Sequence, residues 1–270
     1  MKRSIFIGIL TTVVIVIIFM IVSPRRAATD LDGIIERGRL SVLIESGEHG
    51  LSRDSQLVQG FQYEIIKRFA DTLGLELVLI NQQEVKNGID ELNKGNCDVL
   101  VSLKPIINDT TSTVMYLRPI VSTRLMLVQK KDSTGVATVR YQYQLDGESI
   151  AVMMNSAYIP RLEQLSQELA IDLKIDEQKI ASLDKMVSGV ATGNLSFAVC
   201  PEYLAEKLMK RYPGVDISLP LSFQEQLSWS VDRRSVHLYE RLNAFLEQLI
   251  VSPDYGKLYQ KYFSADTMSF

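Results

Sequence analysis

Cysteine and histidine are scarce in this chain. Two Cys in 270 residues exclude a disulfide scaffold and a four-cysteine zinc site. Two His leave no basis for a His-rich metal centre. No glycine-rich phosphate loop is present, and neither a G-x-S-x-G elbow nor an H-E-x-x-H helix occurs. Nothing therefore points to a nucleotide, a metal or any other cofactor. Carboxylates are numerous, yet no spacing isolates an acid/base pair. Four of the 29 basic residues lie within residues 1–29, where Asp and Glu are missing, so the rest of the chain carries 25 basic against 32 acidic residues. A body of that sign lacks the footprint of a nucleic-acid binder.

A long apolar run does occur, once. Ile5–Val22 carries no charge and follows Lys2 and Arg3. As a helix it would be about 27 Å long, enough to cross a bilayer core. Ser23-Pro24-Arg25-Arg26 follows in place of a small-x-small cleavage site, which favours a retained signal-anchor over a cleaved signal peptide for residues 1–29. Either reading puts the body outside the cytoplasm, in the periplasm or its equivalent.

Beyond residue 30, short apolar runs alternate with helical periodicity. Arg39–Ile44, Leu75–Ile80, Val99–Leu103 and Leu125–Val128 read as strands. Phe61, Ile65, Ile66, Phe69 and Leu73 share one helical face, closed by Gly74. A polar stretch over residues 130–148 interrupts the rhythm, which then resumes with strands at Ile150–Met154, Leu173–Ile175 and Phe197–Val199 and helices between them. Leu227–Val231 is a further strand, and two amphipathic helices end the chain. Fully apolar strands alternating with helices predict parallel sheets covered on both faces. The expected architecture is α/β with two lobes, lobe 1 being residues 30–128 plus 222–270 and lobe 2 residues 131–220, with crossovers near Gln129–Lys131 and Leu219–Phe223. One N-terminal hydrophobic helix precedes them. Cys97 and Cys200 flank apolar strands in different lobes and are expected to be buried or half-buried free thiols.

Several segments, in order, carry a resemblance. Leu31-Asp32-Gly33-Ile34-Ile35-Glu36-Arg37-Gly38-Arg39-Leu40, Gly60-Phe61-Gln62-Tyr63-Glu64-Ile65-Ile66, Leu92-Asn93-Lys94-Gly95-Asn96-Cys97-Asp98-Val99 and Tyr116-Leu117-Arg118-Pro119 resemble the family 3 extracellular solute-binding proteins, of type II periplasmic-binding fold. Further along the chain, Asn155-Ser156-Ala157-Tyr158-Ile159-Pro160-Arg161-Leu162, Arg211-Tyr212-Pro213, Leu227-Ser228-Trp229-Ser230-Val231 and Leu258-Tyr259-Gln260-Lys261-Tyr262-Phe263 resemble the binding-protein-like domain of the membrane-bound lytic murein transglycosylase F family. Members of that family cut peptidoglycan with a separate domain that follows this one. With the chain ending at Phe270, that domain and its catalytic Glu are expected to be absent.

The resemblance implies an Arg that grips a ligand carboxylate, in a T-x-x-R motif, and an Asp for the ligand ammonium. Ile107-Asn108-Asp109-Thr110 occupies the first motif and puts Thr110 in place of the Arg. Pro201 falls at the Asp position, with Glu202 beside it. A free α-amino acid would lose both anchors. Ligands of open α/β sheets lie beyond the carboxyl ends of the strands. Those ends supply the candidate ligand-binding residues: Glu45, Ser46, Ser102, Lys104 and Thr110 from lobe 1, and Asn155, Ser156, Ala157, Tyr158 and Glu202 from lobe 2.

The expected function is a noncatalytic envelope protein that closes two lobes around a small polar solute. A peptide, muropeptide or peptidoglycan fragment is favoured over a free amino acid. Its partners would be an ABC permease for transport, or a wall-remodelling enzyme under its regulation, besides the membrane through residues 5–22. Two rivals are a protein-interaction module with a degenerate cleft and a dehydratase-like enzyme using Glu45 or Glu202.

Overall fold

The computed structural model describes residues 30–44, 52–54, 57–81, 87–105, 112–154, 156, 158–180 and 182–263. The apolar segment 5–22 lies outside them. Among the described residues no helix is long and apolar enough to cross a membrane.

Two sheets organise these residues. The first begins with helix α1 (Leu31–Glu36) and strand β1 (Arg39–Ile44), followed by a small hairpin of β2 (Ser52–Asp54) and β3 (Leu57–Gln59). Helix α2 (Phe61–Thr72), β4 (Glu76–Asn81), α3 (Gly88–Asn93) and β5 (Val99–Pro105) complete two strand–helix–strand units, with β4 and β5 parallel to β1 on its two sides. Strand β13 (Glu225–Asp232) returns from far along the chain and pairs antiparallel with β5, β6 (Val114–Tyr116) and β7 (Val121–Thr123). Helices α7 (Val236–Ile250) and α8 (Pro253–Phe263) then cover one face.

In the second sheet the order is β10 (Lys174–Gln178), β9 (Ser149–Met153), β11 (Phe197–Pro201), β8 (Leu125–Lys130) and β12 (Val215–Asp216). The first three are parallel, and β8 runs against β11 and β12. Helix α4 (Ile159–Leu169) packs on one face; α5 (Leu183–Thr192) and α6 (Ala205–Arg211) pack on the other.

One expectation about the lobes needs correcting. Leu125–Val128, expected as the last strand of lobe 1, pairs in the second sheet, residue for residue with β11. The chain crosses at Arg124 rather than at Gln129–Lys131. The reason is visible in packing. Leu125 and Leu127 enter one core of the second sheet, Met126 and Val128 the other, so the strand is buried on both faces. Such a run shows that it is central, not which sheet it centres. The return crossover lies beside the first: Ser222 Oγ accepts from the Leu125 N–H at 2.8 Å, and the Leu127 N–H donates to the Leu219 carbonyl at 2.8 Å.

Local rules explain several boundaries. Gly60 starts α2 at φ 152°, ψ 146°, a backbone state that essentially only glycine adopts. Its N–H donates to the Tyr262 hydroxyl at 3.0 Å, which fastens α8 to the start of α2. Asp30 caps two helices. It accepts from Leu31 N–H at 2.8 Å on α1, and from His237 and Leu238 N–H at 3.1 and 2.9 Å on α7. Ser235, which precedes α7, makes no side-chain cap bond of its own. Burial by itself would raise the Asp30 pKa, but those backbone donors outweigh it and, with His237, hold it below its ordinary value of 3.8. A carboxylate lowered on folding adds stability above its unfolded pKa and loses it as pH falls through the folded one. Asp30→Ala should therefore cost about 1–2 kcal/mol at pH 7, and the gap to wild type should close as a pH series of urea unfolding descends below 3.8.

Cys97 and Cys200 are both buried and free. Burial first, then the nearby Asp98 and Glu91 carboxylates, push the Cys97 thiol up to about 12, and burial pushes Cys200 up as well. Thiolates are the reactive species. Ellman's reagent should therefore label both thiols on the order of a hundred times more slowly in the native chain than in urea. Fast labelling of either one without denaturant would contradict its placement.

Candidate functional site

The carboxyl ends of β9 and β11 in the second sheet form the described part of the candidate site. After β9 the chain turns tightly: the Ser156 N–H donates to the Met153 carbonyl at 3.0 Å, and Ser156 Oγ accepts from the Tyr158 N–H at 3.3 Å. Helix α4 opens at Ile159 with Pro160 in its first turn, where a missing N–H costs nothing. The Ser156 hydroxyl thus braces the turn ahead of the helix rather than capping the helix itself.

Between this turn, the end of β11 and the start of α5 lies a cavity of about 150 Å³. Met153, Met186, Val199, Pro201 and Leu204 supply apolar wall; Ser156, Tyr158 and Tyr203 supply polar atoms. A second cavity, of about 290 Å³, adjoins it through Tyr203 and is lined by Ser122, Glu202, Glu206, Tyr259 and Phe263. Its walls come from both sheets. Tyr203 belongs in sequence to the second, yet its ring meets Phe263 of α8 edge-on at 4.9 Å. Burial first, and then the Glu202 carboxylate, raise the pKa of Tyr259, which keeps that phenol protonated and able to donate.

Glu202 follows β11 directly. Its N–H donates to the Arg124 carbonyl at 2.9 Å and to Thr123 Oγ1 at 3.0 Å. Arg124 Nε donates back to one carboxylate oxygen at 2.9 Å, and its Nη2 donates to the other. This is a fork-to-fork ion pair between the crossover and the end of a sheet-two strand. With both oxygens engaged, Glu202 is poorly placed as the general acid or base of a dehydratase.

The other sequence candidates divide as follows. Ser156 and Tyr158 come together on the smaller cavity, with Glu202 on its neighbour. Ser102 lies in the other sheet, on β5, 2% exposed, and its Oγ has no hydrogen-bond partner among the described residues. Lys104 stands opposite Ser228 in the β5–β13 register. Glu45, Ser46, Thr110, Asn155 and Ala157 lie outside the described residues. Sequence reasoning missed Arg124 and Tyr203. Arg124 did leave a signal, as the lone charge between Pro119 and Gln129 in an otherwise apolar or hydroxyl-bearing run. Among the described residues no group of three or more His, Cys, Asp or Glu side chains is placed to hold a metal ion.

Residues 48–265, most of the chain, match the bacterial extracellular solute-binding proteins, family 3. The chain belongs to that family. This solute-binding protein is also similar to membrane-bound lytic murein transglycosylase F of Desulfosudis oleivorans, at 24% identity over 252 residues, covering 91% of this chain and 53% of that protein. It spans about half the length of the curated relatives it matches. Solved structures share the fold. The amino acid ABC transporter substrate-binding protein AbpA of Streptococcus pneumoniae, bound to L-arginine, superposes with a TM-score of 0.70 at 16% identity, covering 88% of this chain and all of that one. An ancestral arginine-binding protein bound to arginine gives 0.67 at 21% identity, covering 84% of this chain and 99% of that one. The two-sheet α/β architecture of this solute-binding protein is the type II periplasmic-binding fold.

Proposed function

We propose that this chain is a noncatalytic binding protein of the cell envelope, held at the membrane by residues 5–22, whose two lobes close on a small solute. The lobes meet at Arg124 and at Ser222–Gln224, and hinge closure about two such crossovers is a standard motion of two-lobed binders. A short peptide or peptidoglycan fragment is the favoured solute class. The observation that carries this reading is the cavity at the carboxyl ends of β9 and β11, apolar and hydroxyl-lined, set beside a carboxylate that the protein's own guanidinium already holds. Similarity to wall-cutting relatives favours a wall-remodelling partner; similarity to a transporter's binding protein supports a permease as the other candidate.

A thermal-shift screen of the full chain in detergent tests the proposal, with free amino acids, di- and tripeptides and muropeptides as probes. Ligand at a hundred times its Kd should raise Tm by about 5–10 °C. A rise with peptides or muropeptides and none with free amino acids is the expected pattern. No rise with any probe would turn the search to a protein partner.

A further inference from the structure

Glu202 stands at the carboxyl end of a central parallel strand, where a ligand's ammonium would find its counter-ion. That role is already filled from within. Arg124 takes both oxygens of the carboxylate, through Nε at 2.9 Å and through Nη2, while the Glu202 backbone N–H is anchored to Arg124 and Thr123. The geometry is bidentate and the carboxylate is fixed at both its ends, so an incoming ammonium would have to displace a matched guanidinium. Glu206, on the same cavity, is exposed, where water and salt screen its charge. The adjoining pocket is walled by Met153, Met186, Val199, Pro201 and Leu204, and among the described residues its polar partners are of hydroxyl type. Among the described residues that line it, a charged amine would find no counter-ion, whereas an amide nitrogen with an apolar substituent needs none.

We infer that Arg124 sets the ligand class of this site: the pocket takes a solute nitrogen that is acylated and uncharged, that of an N-acylated amino acid or an amide within a peptide, and discriminates against a free α-amine placed there. The inference rests on the solute-binding reading above and narrows it. Arg124 is a specificity residue acting through Glu202.

Isothermal titration of the full chain in detergent, with L-leucine and N-acetyl-L-leucine as paired probes and muropeptides as a third, tests it. Wild type should bind the acetylated probe at least about ten times more tightly than the free amine, a gap of roughly 1.4 kcal/mol. Arg124→Ala frees Glu202, and L-leucine should then gain about ten-fold while the acetylated probe changes little. Adding Glu202→Gln should cancel that gain. Arg124→Lys keeps the cation and should keep the preference, which separates a charge effect from damage to the crossover. Tighter wild-type binding of L-leucine, or a preference unmoved in Arg124→Ala, would overturn the inference and leave the solute-binding reading in place. Silence of all three probes against every variant would remove both.

Discussion

Trp229→Ala is expected to lower the unfolding free energy by about 3–5 kcal/mol, the usual range for emptying a fully buried aromatic site. Trp229 is wholly buried, at the register shift where β13 passes β5. Its carbonyl accepts from Leu117 N–H at 2.9 Å, and its indole Nε1 donates to Gln62 Oε1 at 2.9 Å. Gln62 is itself fully buried, and its Nε2 has no hydrogen-bond partner among the described residues. The indole is thus the side-chain bond that makes a buried amide tolerable, and its removal adds the cost of an unsatisfied acceptor to that of a cavity. Trp229→Phe separates the two contributions. It keeps most of the volume, so it should cost about 1–3 kcal/mol, the price of the stranded Gln62. Urea unfolding should be followed by circular dichroism, because Trp229 is the sole tryptophan and its replacement removes the fluorescence signal. A cost below about 1 kcal/mol for the alanine variant would be incompatible with a packed indole at this position.

Phe61→Ala should have a comparable effect by another route, again about 3–5 kcal/mol. The Phe61 ring is buried at the first position of α2 and meets four rings of α8 edge-on: Phe263 at 4.7 Å, Tyr255 at 6.0 Å, Tyr262 at 6.2 Å and Tyr259 at 6.3 Å. Such edge contacts contribute beyond the buried area. The same helix is tied to α2 by Lys261 Nζ, which donates to Glu64 at 2.6 Å, and by the Tyr262 hydroxyl. Losing Phe61 should therefore loosen α8 selectively. Amide exchange over Tyr259–Phe263 should accelerate far more than exchange in the second sheet. Equal acceleration in both would mean that the aromatic cluster stabilises the whole molecule rather than its last helix. Because Phe263 also carries Tyr203, the variant should alter the wall that the two sheets share.

Much of the architecture was legible without coordinates. The helical face of Phe61, Ile65, Ile66 and Phe69 lies fully buried on the first sheet. The strands expected at Arg39–Ile44 and Phe197–Val199 are β1 and β11, and Leu227–Val231, expected to pack on one lobe, is the inner part of β13 in the first sheet. These follow from period and apolarity, which are local properties of a chain. The short strands β6, β7 and β12 went unread, because two or three residues carry no measurable period.

For the candidate site, the strand ends could be read from the sequence, but the pairing of side chains there could not. Ser156 and Tyr158 are where strand-end reasoning put them, on a cavity with Pro201 and Tyr203. The partner of Glu202 was not readable, because Arg124 is 78 residues away and becomes its neighbour only when β8 lies against β11. Asp30 is a similar case, with α7 207 residues further on.

The sequence by itself determined the alternation of apolar strands and amphipathic helices, the two-lobed α/β class and the burial of both thiols. Only the tertiary structure decided that Leu125–Lys130 belongs to the second sheet, that Arg124 closes on Glu202, and that one aspartate caps two helices. The physical reason is the same throughout. Hydrophobic periodicity is set by neighbours in the chain and says which face is buried. Which strand pairs with which, and which charge meets which, is settled among segments of equal apolarity by the closure of the whole fold.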